Sequence, residues 1–114
     1  MATTYKVLAQ ATPTTSRTSI AAASGDYVVP SSTSTVVSTI SVTNTTAGAL
    51  SAYVYVVKSA GTSGTSNALV YGSSVAANSV ATFTIGITLA TGDALVFGSS
   101  ASGLTVQAFG SEIA

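Results

Sequence analysis

The chain has 114 residues, enough for one domain with one core. Serine and threonine number nineteen each, while the charged residues are only six, Lys6, Arg17, Asp26, Lys58, Asp93 and Glu112, which cancel. That balance excludes the basic footprint needed for nucleic acid or for an anionic lipid surface.

The opening MATTYKVLAQ lacks the basic start and apolar run of a signal peptide. The expectation is synthesis in the cytoplasm without export by that route. No window reaches the roughly 18 apolar residues of a membrane span. Tyr5, Val7 and Ala9 alternate with Lys6, Leu8 and Gln10, which predicts a first strand. Residues 11–19 contain Pro13, many hydroxyls and Arg17 without an apolar period, and read as an extended arm or loop. Ile20-Ala21-Ala22-Ala23 is the one helix-like fragment, too short to nucleate alone.

Tyr27-Val28-Val29 is a short strand ended by Pro30, which lacks an N–H, so the strand lies at an edge or stops there. Val36, Ser38, Ile40 and Val42 alternate with Val37, Thr39, Ser41 and Thr43 in the next strand. Asn44-Thr45-Thr46 fits a glycosylation triplet but reads as a turn. Leu50, Ala52, Val54 and Val56 alternate with Ser51, Tyr53, Tyr55 and Val57. Both faces of this strand are substantial, so it is central or lies at a subunit contact. Residues 59–67, with Gly61 and Gly64, read as a flexible loop, and Ala68 to Tyr71 as a short strand.

The last stretch, from Ser79 to Ala114, reads as a closing meander. Ala81, Phe83, Ile85, Ile87 and Leu89 are apolar at every second position, with Thr82, Thr84, Gly86 and Thr88 between them. Thr91-Gly92-Asp93 is a turn signal. Ala94 to Phe97 resumes as a strand, and Leu104, Val106 and Ala108 alternate in a final one. Roughly eight short strands at about ten-residue spacing, without a helix, predict an all-β antiparallel sandwich or jelly roll.

The chemistry-bearing residues are sparse. The chain has no histidine and no cysteine, so neither a Ser-His nor a Cys-His pair can form, and the domain folds without disulfides. A Ser–Lys pair is arithmetically open to Lys6 or Lys58, but neither sits in a recognisable motif. Asp26 and Asp93 follow Ser-Gly and Thr-Gly and read as turn residues. Three scattered carboxylates make neither a glycosidase pair nor a metal site, and Gly61 and Gly64 do not form a phosphate loop. The expectation is therefore no catalytic residue, no metal and no cofactor. A surface near zero net charge tends to associate, which suits a subunit of an assembly.

Tyrosines offer a different signal. Tyr53 and Tyr55 lie on one face of one strand, and with Val57 they make a stripe opposite Leu50, Val54 and Val56. One of the two faces is core. The other is a candidate subunit interface, because tyrosine combines large area with a polar tip. The competing reading packs both faces inside the domain. A sugar-binding module could also use such tyrosines.

Seven segments in chain order carry a resemblance: Tyr5-Lys6-Val7-Leu8, Val28-Val29-Pro30, Val36-Val37-Ser38-Thr39-Ile40, Val42-Thr43-Asn44, Val75-Ala76-Ala77-Asn78, Gly86-Ile87-Thr88-Leu89 and Phe109-Gly110-Ser111-Glu112-Ile113. Together the chain resembles small virion structural proteins of tailed phages, particularly phages of cyanobacteria and other aquatic bacteria. Thr45 and Lys58-Ser59 stand where that family carries an Arg and an Arg-Pro step. The resemblance implies a particle component without a catalytic site, made in the host cytoplasm. It implies a capsid decoration or cement protein, trimeric and bound to the major capsid protein, or else a neck, tail or fibre module. Glycan or receptor binding belongs to the second placement.

Overall fold

In the computed structural model, residues 2–13, 27–59, 68–84 and 86–114 are described. They form β1 (Thr3–Ala11), β2 (Tyr27–Val28), β3 (Ser34–Asn44), β4 (Leu50–Val57), β5 (Ala68–Val75), β6 (Val80–Phe83), β7 (Ile87–Leu89), β8 (Ala94–Ser99) and β9 (Leu104–Ile113). Among these residues there is no helix. The helix-like fragment at 20–23, residues 14–19 of the expected arm, residues 60–67 of the expected loop, and Arg17, Asp26 and Ile85 lie outside the described residues. Ala11, expected to start the arm, instead closes β1 opposite Val106.

Two antiparallel sheets face each other. One has the order β1-β9-β3 with β6 and β7 both beside β3, and the other has the order β2-β8-β4-β5. β6 pairs with Ile40–Thr43 and β7 with Thr35–Val37. They are two pieces of one strand position, so nine strands fill eight places. The chain changes sheets between β1 and β2, β2 and β3, β3 and β4, β5 and β6, β7 and β8, and β8 and β9. That is the order of a jelly roll, in which nested Greek keys wrap two sheets around one core.

The topology corrects the closing meander. β7, β8 and β9 follow one another in sequence but are not hydrogen-bonded neighbours. Thr91-Gly92-Asp93 carries the chain across to the other sheet rather than back along a hairpin. Gly92 takes φ 85° there, in the left-handed region that favours glycine. Asp93 holds this crossing with both carboxylate oxygens, Oδ2 accepting from the Ala90 N–H and Oδ1 from the Ser59 N–H, each at 3.0 Å. The turn role expected of Asp93 is present, with a different connection around it.

Between the sheets lies the main core, built on Val37, Ile40, Val42, Val54, Leu89, Leu95, Phe97, Leu104 and Val106. β8 is central, and all six of its residues are buried. Leu95 and Phe97 face the main core, while Ala94 and Val96 face the opposite side. β4 is central too, between β8 and β5. Its hydroxyl- and tyrosine-rich sequence survives there because every second residue meets the core.

Two bulges decide which residues face out. The β1–β9 register slips between Val7 and Ala9, and the β3–β9 register slips between Val37 and Thr39. Both slips fall beside Phe109 on β9. An inserted residue reverses the in/out parity of everything before it. On β3, Thr35 and Val37 face inward before the slip, whereas Ile40, Val42 and Asn44 do so after it. Val36, expected to share a face with Ile40, points outward. On β1, Tyr5 and Val7 point outward and Ala9 inward, although plain alternation puts all three together.

Asn44 pins the loop after β3. Its Nδ2 donates to the Gly48 and Val75 carbonyls at 2.8 and 3.0 Å, and its Oδ1 accepts from the Thr46 N–H and hydroxyl. Both amide hydrogens are engaged and the side chain is buried. Asn44 therefore acts as a turn residue, as its neighbours implied, and not as an accessible glycosylation acceptor in the folded chain.

Candidate functional site

The four described charged residues occupy three settings. Asp93 caps the crossing described above, and Lys58 is exposed at the end of β4. Lys6 and Glu112 meet at one end of the sandwich, Nζ to Oε1 at 3.2 Å. Tyr27, reaching across from the other sheet, donates its hydroxyl to Glu112 Oε2 at 2.5 Å. Having one hydrogen, it accepts from the Thr35 hydroxyl at 2.7 Å. Burial first, and then the bond to Glu112, pushes the Tyr27 hydroxyl up to about 12. The Tyr27 hydroxyl, and after it Lys6, holds the Glu112 carboxyl below its usual range against the effect of burial. All these shifts stabilise one arrangement, a neutral tyrosine on a charged carboxylate. The cluster clasps the two sheets and leaves neither group free to exchange protons at neutral pH. Among the described residues no group of three carboxylate, histidine or cysteine side chains could hold a metal ion.

The tyrosine stripe sits on the outer side of the β8-β4 pair. Tyr53 and Tyr55 stack at 6.5 Å with rings 12° from parallel, so they do share a face. Tyr55 and Val57 are buried within the chain, in a second apolar cluster with Ala94 and Val96. Burial raises the Tyr55 hydroxyl above its ordinary value, with Tyr71 and Tyr53 adding to the effect. Tyr53 is half-buried. Tyr71 packs edge-on against it at 5.1 Å and 84°, and is 62 % exposed. Of this region, Tyr71 and the rim of Tyr53 are what a partner could touch.

A second surface is not visible in the plain alternation of the sequence. On the outer side of the β1-β9-β3 sheet, Tyr5, Val7, Val36, Ser38, Phe109 and Ser111 line an open groove of about 550 Å³. Register puts Tyr5, Ser111 and Val36 in one row, and Val7 beside Phe109 in the next. Tyr5 is 82 % exposed and Val7 46 %. Ser38, the inserted residue on β3, donates its hydroxyl to the Phe109 carbonyl at 3.1 Å. The signal for this groove was present as Tyr5-x-Val7. Simple alternation hid it by assigning Ala9 to the same face.

Close approach of the strands shapes the groove floor. A Cβ on Gly110 would collide with the Val36 carbonyl oxygen and lie 3.0 Å from Val37 Cα. Only glycine lets β3 come this near to β9 at the bulge. No helix among the described residues is long and apolar enough to cross a membrane. Comparison with protein-family models, curated proteins and solved structures finds no match for this chain.

Proposed function

We propose that this chain is a non-enzymatic structural protein of a tailed-phage particle, most simply a decoration or cement protein that stabilises the head lattice against the major capsid protein. The observation that carries the reading is the exposed apolar groove of Tyr5, Val7, Val36 and Phe109 on a chain of zero net charge. Such a face favours association with protein over solution. Its lining is mostly apolar, with Lys6 at its edge already paired to Glu112, so salt screens its contacts little. The jelly roll adds modest support, since that architecture recurs in viral capsid and lectin domains but does not by itself imply a job. The resemblance to phage virion proteins in the sequence points the same way.

Copy number tests the proposal. Quantitative mass spectrometry of purified particles compares this chain with the major capsid protein. A ratio near one, or a simple fraction such as one third, is the expected result. A handful of copies per particle would move the chain to the neck, tail or fibres, and its absence from particles would overturn the virion reading.

One observation favours a second reading, a glycan- or receptor-binding module on a fibre. Tyr71 is exposed and braced by Tyr53, and a fixed aromatic face suits a sugar ring. That module binds cell-surface glycans as an isolated protein and loses the binding on Tyr71→Ala. An isolated chain that binds no glycan removes this reading.

A further inference from the structure

The free edge of β1 has a definite hydrogen-bonding pattern. Ala2 and Ala114 exchange both backbone hydrogen bonds, each 2.9 Å long. In an antiparallel ladder such pairs alternate with pairs that make none. The register from Thr3↔Ile113 to Val7↔Phe109 is unbroken. Thr4–Glu112 and Lys6–Gly110 are therefore the next bonded pairs. Thr3, Tyr5 and Val7 turn their N–H and C=O groups away from β9, toward a side where no described strand lies.

Folded proteins usually guard such an edge with brevity, bulges, interruption or charge. The other edges here are guarded. β2 has two residues. β5 has two register shifts and Gly72 at φ 70°. The edge beside β3 is split into β6 and β7. β1 carries Lys6, but Glu112 neutralises it and its backbone faces inward. From Thr3 to Val7 the edge is regular and exposed, and the bulge after Val7 marks where it stops.

We infer that this edge pairs with β1 of a second copy, antiparallel about a two-fold axis through Tyr5; the inference rests on the assembly reading above and names one of its contacts. The edge is self-complementary about that axis. Tyr5 lies opposite the partner's Tyr5, and Thr3 opposite the partner's Val7. Three rows of outward groups supply about six backbone hydrogen bonds. Lys6 falls opposite the partner's Thr4, so no like charges meet. The outer faces of the two sheets become continuous, and Tyr5 and Val7 of each copy are covered by the other. Five rows at about 3.4 Å make a seam of about 17 Å that is only one strand wide, a smaller contact than the roughly 800 Å² per partner of a standard interface. The pair is weak alone and gains strength by repetition in an array. A trimer, implied by the resemblance, needs a different face.

The test combines sedimentation velocity with amide hydrogen exchange on the full chain, from micromolar to millimolar concentration. Dimer should grow with concentration. The Thr3, Tyr5 and Val7 amides should slow as it does, while Thr4 and Lys6 stay protected throughout. Tyr5→Pro removes an outward N–H without touching a β1–β9 bond, and Tyr5→Lys sets two ammonium groups face to face. Each should weaken dimerisation at least about tenfold, and Tyr5→Lys keeps the test open if the proline variant fails to fold. A chain that stays monomeric at millimolar concentration, or a dimer indifferent to both variants, would overturn the seam. The copy-number measurement is separate. High copy number with a monomeric chain in solution sinks the seam and spares the particle reading; a dimer from a chain absent from particles does the reverse.

Discussion

The Tyr27 hydroxyl reaches Glu112 Oε2 at 2.5 Å and thereby ties β2 of one sheet to β9 of the other. Eighty-five positions separate the two residues, and Lys6 completes the contact from a third strand. Stability should therefore depend on pH at both extremes. Glu112 has a lowered folded value, so its contribution is complete above the ordinary 4.5 and is lost as pH falls through the folded value below it. Tyr27 has a raised folded value. Its contribution is complete below the ordinary 10.0 and is lost as pH rises toward about 12. Denaturant midpoints across pH check both limbs. Glu112→Gln should flatten the acid limb, and Tyr27→Phe should flatten much of the alkaline one. A wild-type profile unchanged in either variant would mean that the clasp does not form in solution.

Gly110 should tolerate no side chain. Gly110→Ala drives a methyl group into the backbone of β3 at Val36 and Val37, and backbone cannot yield as a flexible side chain can. The expected loss is about 1–3 kcal/mol or more by urea denaturation. Gly48→Ala is the control, because nothing lies within 4 Å of its added Cβ. Equal behaviour of the two variants would place the strands farther apart than described.

Core truncation should rank by burial. Leu95 and Phe97 are fully buried, so Leu95→Ala should cost about 2–5 and Phe97→Ala about 3–5 kcal/mol. Phe83, which alternation also places inside, is only partly buried at the margin of the core. Phe83→Ala should cost less than either. Thermal or urea unfolding of the three variants gives the order directly.

Tyr55 and Tyr71 should separate packing from recognition. Tyr55 is 3 % exposed, and Tyr55→Ser should destabilise the isolated chain by on the order of 3 kcal/mol. Tyr71→Ser, at an exposed ring, should change stability by about 0.5 kcal/mol or less. A stable Tyr55→Ser chain that assembles poorly would instead make the stripe a subunit contact.

All-β architecture was legible from residues alone, because a two-residue period with hydroxyls between apolar side chains has no helical solution. Val54, Leu104 and Val106 reveal their inward face in this way, and Pro30, which cannot donate, marks a strand that stops or lies at an edge; β2 does both. Asp93 and Asn44 announce turns through chemistry that acts over a few residues. Each of these signals is local, so a linear reading can find it.

The candidate surface was not local. Tyr5 and Val7 belong to the outside only because Leu8 is inserted opposite β9, and Val36 does so only because of Ser38. Neither insertion breaks the apolar alternation of its own strand; each is defined by its partner β9, which is 71 residues from Ser38 and about a hundred from Leu8. The same holds for the clasp of Lys6, Tyr27 and Glu112, and for the free edge of β1. Sequence by itself determined that the chain is built of short strands and roughly where each lies, though β5 runs on to Val75 and the stretch from Val80 to Leu89 is split into β6 and β7. Only tertiary pairing decided which strand ends a sheet, which face looks outward, and so where this protein can meet another.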